Sequence, residues 1–70
     1  MKEYLIVFPD NARLKYYASF EVLEFGVMPV MDLITAHIRA NNREPYAATV
    51  FEWTEVDGKE QYIKLHMFSK

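Results

Sequence analysis

The apolar positions of this chain follow two different periods. Tyr4, Leu5, Ile6, Val7 and Phe8 form an unbroken run of aromatic, aliphatic and β-branched residues, the pattern of a strand covered on both faces. Such a strand belongs in the middle of a sheet. From Arg13 to Val22 the apolar residues alternate, with Leu14, Tyr16, Ala18, Phe20 and Val22 on one face and Lys15, Tyr17, Ser19 and Glu21 on the other. On a helical wheel the same apolar residues scatter around the circumference, so the spacing predicts a strand. Glu24 to Met28 then turns a corner, with Gly26 as its hinge.

At Pro29 the period becomes helical. At about 100° per residue, Ala40, Leu33, His37, Val30, Asn41, Ile34, Ile38 and Met31 fall on one side of a helix from Pro29 to Asn42. Asn42, Thr35, Arg39, Asp32, Arg43 and Ala36 fall on the other. An apolar arc this wide lies flat on a sheet. Pro29 suits the first helical position, where a missing N–H costs nothing, whereas Met28 is a poor N-cap. The other end is better marked. Asn41-Asn42 can adopt a left-handed cap, Arg39 and Arg43 complement the helix dipole, and Pro45 stops continuation.

Turn chemistry sets the strand registers. A three-residue loop Pro9-Asp10-Asn11, with Asn11 left-handed, places Phe8 opposite Ala12, Ile6 opposite Leu14 and Tyr4 opposite Tyr16. Around Asp57-Gly58 two registers compete. A two-residue loop sets Glu55 against Glu60, which is repulsive, and Phe51 against Lys64. A three-residue loop, Val56-Asp57-Gly58, pairs Glu55 with Lys59 instead. It also collects Phe51 with Ile63, Thr49 with Leu65, Ala47 with Met67, and Trp53 on one apolar face. The three-residue loop is therefore expected. The element order is β-β-α-β-β, an α+β fold with a four-stranded, mainly antiparallel sheet in the order 2-1-3-4 and one helix packed on one face.

Composition adds bounds. Seventy residues make one domain, 1–70, with a small core and marginal stability. Without cysteine there is no disulfide or thiolate metal site to reinforce it, which leaves association as the remaining route to extra burial. A hydrophobic fraction of 51% and an aromatic fraction of 16% exceed what one helix can cover. The net charge of −2, with acids and bases interspersed, excludes a basic footprint for duplex nucleic acid and also an acidic DNA mimic. No apolar run is long enough to span a bilayer, and the start carries no signal-peptide pattern, so no membrane association and a cytoplasmic location are expected.

Candidate chemistry is sparse. His37 lies within the apolar arc of the helix and reads as a core histidine bonded to a backbone carbonyl or to Asn41. His66 has no companion ligands at fixed spacing, so no metal is expected. Two glycines exclude a phosphate-cradling loop, and there is no nucleophile motif, so neither an enzyme nor a cofactor is expected. The glycine-aromatic strand motif of RNA-recognition folds and the GXXG loop of KH domains are both missing.

The informative feature is the sheet face turned away from the helix. By the registers above it carries Leu5 and Val7, Arg13, Lys15 and Tyr17, Tyr46, Ala48, Val50 and Glu52, and Tyr62, Lys64, His66 and Phe68. Of these, Lys15, Tyr17, Tyr46, Val50, Tyr62, Lys64, His66 and Phe68 form the candidate binding patch. Aromatics mixed with cations suit a protein interface, with a second copy or a foreign protein as partner. The alternative is a weak single-stranded nucleic-acid binder using the same face, which the net acidity disfavours. Small size, an acidic cysteine-free makeup and missing catalytic signatures are also typical of accessory proteins from phages and mobile elements that inhibit host enzymes.

Overall fold

A computed structural model describes residues 1–69. Its elements are β1 (Lys2–Val7), β2 (Arg13–Ala18), α1 (Phe20–Leu23), α2 (Val27–Ala40), β3 (Thr49–Val56) and β4 (Lys59–Met67). The strands form one antiparallel sheet in the order β2-β1-β3-β4, with the helices between its two hairpins in sequence. The fold is α+β. β1 is central as its doubly apolar run requires: Tyr4 and Ile6 face the helix layer, and Leu5, on the opposite face, is also buried.

The first hairpin has the register expected from its turn. Asn11 sits at φ 68°, the Phe8 N–H donates to the Ala12 carbonyl at 2.9 Å, and Tyr4 pairs with Tyr16. Hydrogen-bonded pairs alternate along an antiparallel ladder, so the Lys15 carbonyl points off the open edge of β2. His37 of α2 covers it: Nε2 donates to that carbonyl at 3.0 Å while the ring lies 5.1 Å from Tyr16. The bond to a backbone carbonyl is the one expected of this histidine, but the ring is half-buried at the sheet edge and lies outside the core.

The second strand is shorter than the alternation suggested. It ends at Ala18, and Ser19 caps α1 by accepting the Val22 N–H on its side chain at 3.4 Å. Phe20 and Val22 therefore belong to a helical turn, not to the strand. An N-cap serine with Glu21 in the first turn competes locally with the extended pattern and wins, because beyond Ala18 there is no neighbouring strand left to pair with.

α2 begins two residues earlier than expected, at Val27. Gly26 stands at its N-cap with φ 101°, a conformation that side chains disfavour, and Pro29 falls inside the first turn where its absent N–H is still unneeded. At the C-terminal end Asn42 is left-handed at φ 60°. The Arg43 N–H reaches the Ile38 carbonyl at 3.2 Å and the Asn42 N–H the Arg39 carbonyl at 3.0 Å, a Schellman closure. Arg43 then ties this end to the first hairpin. Its guanidinium donates to both Asp10 carboxylate oxygens, at 2.9 and 2.8 Å, and lies 4.1 Å over the Phe8 ring. The buried stripe of α2 is Val30, Met31, Ile34 and Ile38. Leu33, placed in the arc by the wheel, is 39% exposed, so the contact is narrower than expected.

The C-terminal hairpin corrects the expected register. Asp57 and Gly58 both have positive φ, 53° and 80°, and Val56 pairs with Lys59: a two-residue turn of the primed kind. Glu55 therefore faces Glu60, and Phe51 faces Lys64. An Asp-Gly pair is the strongest two-residue turn signal, and repulsion between two exposed carboxylates is only a few tenths of a kcal/mol. The apparent loss of a coherent apolar face is repaired by an irregularity at Val50/Phe51, where β4 holds one extra residue, Leu65, between Lys64 and His66. The bulge rephases β4 so that Leu65 packs against the core.

This register reverses the faces assigned to β3. Val50 opposes Ile6 in the core, with Ala48 and Glu52 on the same side, while Thr49, Phe51 and Trp53 face outward.

Candidate interaction surface

The sheet surface opposite α2 is built of transverse rows, because residues paired across antiparallel strands point the same way. One row reads Tyr17, Glu3, Trp53, Tyr62, and the next Lys15, Leu5, Phe51, Lys64. Beyond it lie Arg13, Val7, Thr49 and Met67. On the other side of the aromatic row, toward the Asp57-Gly58 turn, stand Glu55 and Glu60.

Contacts within the face hold the aromatics in place. Trp53 and Tyr62 meet edge-on, their rings 4.8 Å apart. The Tyr62 hydroxyl donates to the Glu3 carboxylate, which also lies 4.0 Å from the Lys15 ammonium. That hydrogen bond, with a smaller effect of desolvation, holds the Tyr62 hydroxyl above the usual tyrosine range. A phenol fixed by a carboxylate loses little rotamer entropy on meeting a partner, and this favours a contact role. Leu5, on the same face, is also largely buried.

Charge along the face is graded. Its turn end presents Glu55 and Glu60, with Lys59 paired to Val56 on the opposite face, the middle is aromatic around the Glu3 carboxylate, and the far end carries Lys64, Lys15 and Arg13.

Of the eight residues expected to form the patch, Lys15, Tyr17, Tyr62 and Lys64 lie together on this face. Val50 does not: it is 0% exposed beneath α2. Tyr46, His66 and Phe68 gather instead on the helix side, beside Arg39 and Glu44 at the C-terminal end of α2, around a depression of about 290 Å³. His66 and Phe68 meet edge-on there at 5.0 Å, and Phe68 packs against the core. The bulge at Leu65 carries His66 to that side. Phe51, Trp53, Glu55 and Glu60 were missed, and the Asp-Gly turn was the signal that could have found them.

Among the described residues no group of three or more histidine, aspartate or glutamate side chains is placed to hold a metal ion. No helix is long and apolar enough to cross a membrane. Comparisons with protein-family models, with curated proteins and with solved structures find no match to this chain, so its surfaces are the ground for any functional reading.

Proposed function

We propose that this chain is a non-enzymatic protein-interaction module that works through its outer sheet face, and that one partner is a second copy of itself. The observation that carries this reading is the graded charge of that face across its aromatic row. A two-fold axis lying in the interface along the row Tyr17–Tyr62 reverses the strand direction of the second copy. Rings then meet rings, and Glu60 of each copy approaches Lys64 of the other. The repulsion between Glu55 and Glu60, unfavourable in one chain, is relieved by the incoming ammonium. A surface of this kind also suits a small accessory or inhibitory protein, whose foreign target would compete with the second copy.

Charge exchange tests this orientation. Glu60→Lys alone and Lys64→Glu alone each place like charges at both ends of the two-fold contact and weaken association. Mixing the two variants restores opposite charges at both ends and yields a heterodimer. Failure of the mixture to associate while the parent does would overturn the orientation. Single-stranded binding through Lys64, Lys15 and Phe51 is the other reading, and it predicts a steep loss of oligonucleotide affinity with added salt.

A further inference from the structure

A second apolar surface lies at the α1–α2 corner, away from the outer sheet face. Phe20, Phe25, Val27 and Met28 are 64%, 77%, 50% and 65% exposed there, and large apolar side chains seldom cluster so openly on a small domain. Phe20 and Val27 border a groove of about 370 Å³ that continues inward between α1, the start of α2 and the helix side of the sheet. Leu23, Val30 and Leu65 line it, together with Tyr4.

The groove has a defined charge. Glu52 lines it, and its carboxylate makes no hydrogen bond or ion pair with the described residues. Glu52 and Tyr4 line the groove together; burial first, and the Glu52 charge second, hold the Tyr4 hydroxyl above its usual range. Glu21 on α1 and Glu24 at its C-cap are exposed, and Asp32 follows Met28 by one helical turn. Between Lys15 and Arg39 the chain contains no lysine or arginine, and among the described residues Lys2 is the one cation lining the groove, set against Glu52.

We infer that this corner is a docking site for a basic amphipathic helix of a partner protein. Its apolar stripe, at i, i+3 or i+4, and i+7, fills the groove and covers Phe25 and Met28, while its lysines or arginines meet Glu21, Glu24 and Glu52. Methionine and phenylalanine at the rim accommodate side chains of varied shape. A helix suits the site better than an extended strand. The groove is lined by side chains of the helices and of the helix-facing side of the sheet, and a helix satisfies its own N–H and C=O groups without needing a backbone ladder from it. The acidic rim disfavours nucleic acid and anionic lipid headgroups. This site is independent of the outer face, and a dimer formed through that face would present two such grooves.

The probe is a synthetic peptide of about 18 residues made of leucine and lysine, with leucine on one helical face, long enough to fold on contact. It is titrated into the full chain and followed by calorimetry and by amide NMR shifts. The expected result is saturable binding that weakens with salt, with shifts confined to Phe20–Asp32 and to the other groove-lining residues Lys2, Tyr4, Glu52 and Leu65, and absent from Trp53 and Tyr62. Phe25→Ser, at a site exposed enough to leave the melting temperature unchanged, lowers affinity about tenfold or more. Glu24→Lys lowers it as well, and a peptide with glutamate in place of lysine does not bind. Equal binding of the glutamate peptide, shifts on the outer sheet face, unsaturable binding or an unaffected Phe25→Ser variant would each overturn the inference.

Discussion

Ile34→Ala tests how α2 sits on the sheet. Ile34 is 0% exposed and belongs to the core with Ile6, Val30, Ile38 and Val50. The substitution removes about three methylene equivalents at about 0.8 kcal/mol each. The cavity left behind raises the total to about 3–4 kcal/mol. At about 0.05–0.15 kcal/mol per residue, a chain of this length holds roughly 4–10 kcal/mol in all, so one substitution removes a large part of its stability. Leu33 is the control. It is the neighbouring residue, it loses a side chain of similar size, and on the helical wheel it shares the arc, but it is 39% exposed. Leu33→Ala should change stability by about 1 kcal/mol or less, because little burial is lost and alanine favours the helix. Urea unfolding at fixed protein concentration, followed by circular dichroism and Trp53 fluorescence, measures both. Equal losses for the two variants would refute the orientation of α2 described here.

Two further perturbations address the turns. Gly58→Val forces a β-branched residue to φ 80° in the Asp57-Gly58 turn and should cost about 1–3 kcal/mol, and an unchanged urea midpoint would argue against the primed turn. Asp10 is held below its ordinary carboxyl range of 3.8 by the Arg43 hydrogen bonds first and the Ala12 N–H second. The folded state therefore binds this proton less readily than the unfolded chain. Its contribution is present above the unfolded pKa and is lost as pH falls through that value toward the lower folded one. Thermal melts from about pH 5 to about pH 3 should show the parent losing stability faster than Asp10→Asn, and parallel curves would count against the Asp10–Arg43 pair.

Much of the fold was legible because its signals were local. The doubly apolar run from Tyr4 to Phe8 identified the central strand. Pro9-Asp10-Asn11 identified both the first turn and its register, and Asn41-Asn42 with Pro45 identified the helix end. The misreadings came where two weak preferences competed. Alternation through Phe20 and Val22 outweighed the Ser19 cap on paper, although a strand without a neighbour has nothing to pair with. Avoiding the Glu55–Glu60 pair outweighed the Asp-Gly turn, although the conformation of the turn is worth more than repulsion between two solvated carboxylates. That choice moved the outer face by one residue. It put Val50 on the surface and hid Phe51 and Trp53, so that Lys15, Tyr17, Tyr62 and Lys64 lie on the outer face as expected while Val50, Tyr46, His66 and Phe68 do not. The bulge at Leu65 has no glycine or proline to announce it, and its effect on His66 depends on packing beneath α2.

The most direct measurement is the solution mass of the parent chain by size-exclusion chromatography with light scattering, across a concentration series at low salt. Self-association through the graded outer face predicts twice the 8.3 kDa of one chain at micromolar concentrations and above, falling toward one chain on dilution, on addition of salt and in Tyr62→Glu. A mass of one chain at the highest concentrations in low salt would contradict it.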